Sequence, residues 1–335
     1  MKKLLAFVLA TMMLLSLVSF ASAEAAPVTI TIWHTRPESD EPTSTHQRIL
    51  AWAEEYNKTN TDHITVEVVG SKKDDAILTS IASGTTPDIF MGYWNTTSTW
   101  AANGALMDLT DYINNDATFD KADFADVGWG QATFNNRIYG VPFIMNTTLL
   151  YYRADLLKAA GYSEPPKTLE ELRDMAIALT KYDDAGNIVQ AGFIPDYPWQ
   201  DNVCWPVMTG AQWIDQTTNT ITFDSDAMKE AYQWQADIYS ALDYNKLIAF
   251  KDGLGTRDTT EDPLITGKVA MTFYSEMKLP PMEELGKDIE WGVCALPHGT
   301  AISETADEVM LTTNQFKINA NCANPDAAWK VLSSL

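Results

Sequence analysis

Cysteine, histidine and basic charge are scarce in this chain. Cys204, Cys294 and Cys322 stand far apart with no C-x-x-C pair, which argues against a zinc ribbon or a disulfide-built scaffold. One bridge, or three free thiols, stays open. The four histidines, His34, His46, His63 and His298, are scattered, and no H-E-x-x-H motif would place two of them on one metal. G-x-S-x-G, a Walker loop and a dinucleotide fingerprint are all missing. Basic residues number 23 against 45 acidic, a formal charge of -22. Such a surface repels nucleic acid and anionic lipid, so neither is expected as a partner. After Phe20 no run reaches the ~18 apolar residues that a membrane span needs.

What is present is a leader and enough apolar residues for two cores. Lys2 and Lys3, the apolar run Leu4 to Phe20, and Ala21-Ser22-Ala23 read as a signal peptide over 1–23, cut near Ala23. No lipobox cysteine ends it. An exported, extracytoplasmic or periplasmic protein is expected. The 335 residues and a hydrophobic fraction of 46% suit roughly two domains of about 150 residues each.

Hydrophobic spacing then reads as α/β. Val28 to Trp33 is a strand, Thr43 to Tyr56 a helix, Ile64 to Val69 a strand, Asp74 to Ser83 a helix and Asp88 to Tyr93 a strand. That alternation implies a parallel sheet with helices on its faces. Ligands of such sheets bind beyond the carboxyl ends of strands, here Trp33 to Ser39 and Tyr93 to Thr97. Arg137 to Arg153 is the pivot: apolar 141–145, polar Asn146-Thr147-Thr148 and apolar 149–152 read as strand, interruption, strand, where the chain crosses between lobes. Asn146 is then expected at a cleft floor. Thr168 and Glu171 form a capping box for the helix Leu169 to Thr180, Ser225 caps Ala227 to Tyr239, and Pro325 opens a last helix. The turn Asp183 to Asn187 lacks the spacing of an EF-hand. Trp52, Trp100, Trp234 and Trp329 sit in helical patterns and are expected in cores. Phe193 to Trp213 has no period, and its aromatics are candidates for a binding wall.

The ordered set TITIWH, SGTTPDIFMGYW, WAANGALMDLTDYI, YGVPFIMNTTLLYYRADLLKAAGYSEPPKTLEEL, YDDAGNIVQAGF, ITGKVAMTF, WGVCALP and NPDAAWKVL resembles the extracellular solute-binding proteins of family 1, the maltose-binding-protein-like sugar receptors of ABC importers. The resemblance spans nearly the whole mature chain. It implies a two-lobe, type II periplasmic-binding-protein-like α/β fold, with lobes joined by hinge strands. Its lobes would be 24–145 with a return over 294–335, and 146–293. The family runs on past AAWKVL with further helices, so the chain reads as truncated at its C-terminal end. No cofactor or metal is implied, and a monomer is expected.

The implied function is binding a sugar or oligosaccharide in the interlobe cleft and delivering it to the membrane permease. Sugar sites combine aromatic platforms with planar donors and acceptors. By position in the family, the implied contacts are His34, Arg36 and Glu38 after the first strand, and Trp94 and Asn95 after the third. Asn146 joins them at the crossover, with Tyr197, Trp199 and Trp205 in the aromatic loop and Tyr274 and Glu276 after a late strand. Met277 stands near the place where the family often has a tryptophan. A binder of another polar solute, such as a polyamine, is the alternative that suits the acidic balance. A secreted glycoside hydrolase would need two carboxylates flanking one sugar bond.

Overall fold

The structure is a computed structural model that describes residues 27–197, 204–215, 220–302 and 310–335. The expected leader over 1–23 and the candidate contact Trp199 lie outside the described residues, as does the side chain of Cys204. Contacts divide the chain into two units, Met1–Ile144 with Thr313–Leu335, and Met145–Thr312.

The first unit opens with β1 (Val28–Trp33), α1 (Thr45–Thr59), β2 (Ile64–Val69), α2 (Asp74–Ser83) and β3 (Ile89–Tyr93). β1 pairs in parallel with β2 through Ile30↔Val66 and with β3 through Ile32↔Ile89. The alternation in VTITIW buries Ile30 and Ile32 and leaves Thr29 exposed. Thr31 turns its hydroxyl and amide to the Asp88 carboxylate at 3.0 and 2.9 Å, which ties β1 to the residue ahead of β3. Ser44 caps α1 through the Gln47 amide. Gly84 ends α2 in the left-handed region at φ 71°, where a side chain would be strained. A 3-10 turn (Trp94–Thr96) follows β3 and leads into α3 (Thr97–Ala102); α4 (Asp126–Ala132) comes before the crossover.

β4 (Val141–Arg153) is one continuous 13-residue strand, not the interrupted pair expected from Asn146-Thr147-Thr148. The polar residues do not break it because they have partners. Thr147 donates its amide (2.7 Å) and hydroxyl (3.1 Å) to Glu276 Oε2, and Thr148 pairs with Ser275. β4 carries the chain from the first unit into the second.

In the second unit α5 (Leu169–Ala178) starts at the expected capping box: the Glu171 amide donates to Thr168 Oγ1 at 3.1 Å and the Thr168 amide to Glu171 Oε2. α6 (Asp226–Leu242) is capped by Ser225, as its sequence predicts. β5 (Met271–Ser275) and β6 (Trp291–Cys294) both pair antiparallel with β4. Leu150, Leu172, Phe193, Trp205, Trp234 and Phe273 form the centre of this unit's core. Each such side chain, fully withdrawn from water, stabilises by about 1.5–3 kcal/mol.

β7 (Met310–Ile318) returns the chain to the first unit and lies antiparallel to β3, Asn314 opposite Tyr93 and Ile318 opposite Ile89. α7 (Pro325–Ser334) has Pro at its first turn, where the missing N–H costs nothing. The first unit's sheet is covered on both faces. One face packs Ile30, Met91, Trp129, Phe316 and Trp329; the other packs Ile77, Phe90 and Trp100. Trp100, Trp234 and Trp329 are buried as expected, while Trp52 is half-buried and donates its Nε1 to the Ser334 carbonyl at 2.9 Å.

Candidate functional site

In the first unit the candidate residues gather at the carboxyl ends of β1 and β3. After Tyr93 the chain must leave the sheet, and it does so in a tight 3-10 turn whose Thr97 amide bonds the Trp94 carbonyl. The Thr96 hydroxyl donates to the Tyr93 carbonyl at 2.7 Å. This holds Tyr93 exposed, Trp94 half-buried and Asn95 exposed. A flat ring beside an open amide is the pairing that a polyhydroxylated guest requires.

The residues after β1 are placed differently. His34 is fully buried, its backbone bonded to Val69 and Lys72 and its Nε2 3.0 Å from His46 Nδ1 of α1. Gly70 makes room for the pair: a Cβ there would come within 2.9 Å of both imidazoles and 2.8 Å of Glu38 Cγ. Burial, then His46, pulls the His34 pKa down to about 4, so the ring is neutral at pH 7. A ring with no exposed surface cannot meet a ligand directly, and His34 is corrected here to a side chain that packs the turn. Arg36 is half-buried with its Nε buried and unpaired. Glu38 is exposed, and its amide donates to the Ser71 hydroxyl at 3.0 Å.

In the second unit, Asn146 is half-buried on β4, next to the Thr147 that anchors Glu276. Trp205 and Tyr274 turn inward. Trp205 has no exposed surface and packs its ring against Phe193, Trp234 and Phe273, so it belongs to the core and not to a binding wall. Tyr274 is buried and donates to Asp258 at 2.7 Å. Lys278, also buried, donates to Asp258 at 2.9 Å and closely to Asp262. Tyr197 and Tyr274 line a void of about 10 Å³ beside that charged group, room for one water and for no sugar. A larger hollow of about 540 Å³ in this unit is lined by Thr168, Arg173, Glu230, Trp234 and His298, with none of the expected contacts on its wall among the described residues. Among the described residues no cluster of His, Cys, Asp or Glu could hold a metal ion, and Cys294 and Cys322 are free, their thiols pushed up to about 11 and about 12 by burial.

A family model described as bacterial extracellular solute-binding protein matches residues 42–335. The chain belongs to that family.

Among curated relatives of this solute-binding chain, the maltotriose-binding protein of Pyrococcus abyssi is 28% identical over 324 residues, 92% of this chain and 62% of that protein. The sn-glycerol-3-phosphate-binding periplasmic protein of Shigella flexneri is 24% identical, over 86% of this chain and 65% of its own length. The chain therefore spans just under two thirds of these relatives. Solved structures share the fold. CpMnBP1 with mannobiose bound superposes with a TM-score of 0.73 at 24% identity, over 91% of this chain and 77% of that one. An ABC substrate-binding protein of Listeria monocytogenes in complex with cycloalternan gives 0.69 at 20%, over 92% and 75%. The fold class expected from the sequence is thus the one found.

One residue that touches the Trp94 turn is absent from the expected set. Lys317 of β7 is fully buried, and its Nζ reaches the turn that bears Trp94. The stretch TTNQFKI opens with four consecutive polar residues and reads as solvated, which hid it. The one available signal was a lysine set between the apolar Phe316 and Ile318.

Proposed function

We propose that this chain is the exported substrate-binding component of an ABC importer, that it takes up a sugar or oligosaccharide, and that it passes the guest unaltered to a membrane permease. The match of residues 42–335 to the solute-binding family carries this reading. Relatives named for maltotriose, and neighbours holding mannobiose and cycloalternan, favour a saccharide over other polar solutes. The geometry agrees at one place, the half-buried Trp94 and open Asn95 at the carboxyl end of β3. These two are the proposed contacts of the first unit; Asn146 and Glu276 are those of the second. Arg36 and Glu38 stay as candidates on the segment after β1. Export by the leader over 1–23, a monomeric state and no role for nucleic acid complete the proposal.

The test is a thermal-shift screen with maltotriose, mannobiose, mannotriose and a polyamine. A ligand at 100 times its Kd adds about 2.7 kcal/mol of stability. One saccharide should shift the melting temperature and be recovered uncleaved. A shift with the amine alone, or a cleaved sugar, would sink the reading. Trp94→Ala should weaken binding of that saccharide by roughly ten-fold, about 1.4 kcal/mol, without lowering the melting temperature of the free protein.

A further inference from the structure

The turn that bears Trp94 and Asn95 is held by a strand 224 residues further along the chain. Thr313, Gln315 and Lys317 share one face of β7, and all three are buried. They form a continuous polar row in a place where apolar residues would pack. Thr313 Oγ1 donates to Gln131 Oε1 at 2.9 Å, and Gln315 Nε2 donates to Thr313 Oγ1 at 3.0 Å. Thr97 Oγ1, at the end of the turn, donates to Gln315 Oε1 at 2.9 Å. Lys317 Nζ donates to the Tyr93 carbonyl at 3.0 Å and to Thr96 Oγ1 at 2.8 Å, with the Trp100 ring centre 5.4 Å away.

Space has been left for this amine. A Cβ at Gly92 would lie 3.3 Å from Nζ, and one at Gly140 would lie 3.3 Å from Lys317 Cγ. Burying an ammonium group is costly, and among the described residues no carboxylate accepts a hydrogen bond from it to offset the loss of water, Asp74 acting only through its field. Apolar side chains of similar volume often replace buried ionic groups with no loss of stability. The amine's position on both acceptors of the turn gives it a role that such a residue would lack.

We propose that Lys317 is a positioning residue for ligand recognition: its Nζ locks the Tyr93–Thr96 turn in the form that presents Trp94 and Asn95 to the guest. The proposal rests on the assignment of that turn to the ligand.

The test is Lys317→Met, which keeps the volume and removes the donors. Amide exchange followed by NMR in the ligand-free protein should speed up at least ten-fold at Thr97, whose N–H closes the turn, with Ile30, Ile32 and Val66 unchanged. Kd for the saccharide that shifts the wild-type melting temperature should rise about ten-fold. Unchanged exchange at Thr97, or equal acceleration throughout the first unit, overturns the proposal.

If the variant does not fold, the wild-type protein supplies the answer. Burial holds the Lys317 pKa down to about 7, and Asp74 of α2 is the charged group that pulls it back up. The turn (Tyr93, Thr96), α3 (Trp100) and the backbone at Gly92 and Gly140 face it with no charge of their own. Between pH 6 and 8.5, after correction for base-catalysed exchange, protection at Thr97 should fall relative to Ile32 as the amine loses its proton. A ratio that stays constant across the pH range in which the Lys317 Cε resonance is itself seen to titrate overturns the proposal. Exchange is read without ligand, so this outcome is independent of the Trp94→Ala result, which tests the assignment of the turn.

Discussion

A single imidazole gives the clearest pH signature. His34 is neutral in the folded protein because burial and the neighbouring His46 depress its pKa to about 4, whereas the unfolded chain takes up the proton at its ordinary value of 6.5. The unfolded state therefore binds more protons between these two values. Stability from this residue is complete above pH 6.5 and is lost as pH falls toward 4, by up to about 3 kcal/mol. Urea unfolding at pH 7, 5.5 and 4.5 should show that loss, and His34→Asn should flatten it. An identical slope in the two proteins would show that the proton goes elsewhere.

The elements that were legible in the sequence are those specified by near neighbours. Thr168 and Glu171 close the capping box across three residues, and the structure has it. Thr168→Ala should cost about 1 kcal/mol in chemical denaturation, and Thr168→Ser should restore most of it. Ser225 before α6 and Pro325 in α7 follow the same local logic. The three parallel strands of the first unit were likewise readable from their alternating and apolar runs. What escaped depends on residues far away in the chain. The polar middle of β4 stays in the strand because Glu276, 129 residues on, accepts from Thr147. Trp205 sits amid Pro, Asp and Asn, so its sequence neighbours hid the aromatic core that buries it. Lys317 escaped for the same reason: its acceptors belong to a turn near the other end of the chain. Strand ends alone were enough to place Trp94 and Asn95 on an open turn after β3, whereas the direction of a side chain was needed at His34, Trp205 and Tyr274, which turn inward.

For the whole molecule, the route of the chain sets an order of events. The second unit is one uninterrupted stretch, Met145–Thr312, whereas the first needs Thr313–Leu335 to complete its sheet and its core. Trp52 and Ser334, bonded in the finished protein, are 282 residues apart. Closing so long a span is slow, because its entropy must be lost before the contact forms. Pulse-labelled refolding should protect Leu150 and Phe273 before Ile30 and Ile32; the reverse order would contradict this. On the ribosome or emerging from a translocon, the half made first would thus stay incomplete longest, β3 lacking its antiparallel partner until β7 arrives. A cell exporting this polypeptide must shield that unpaired edge for the whole of that wait.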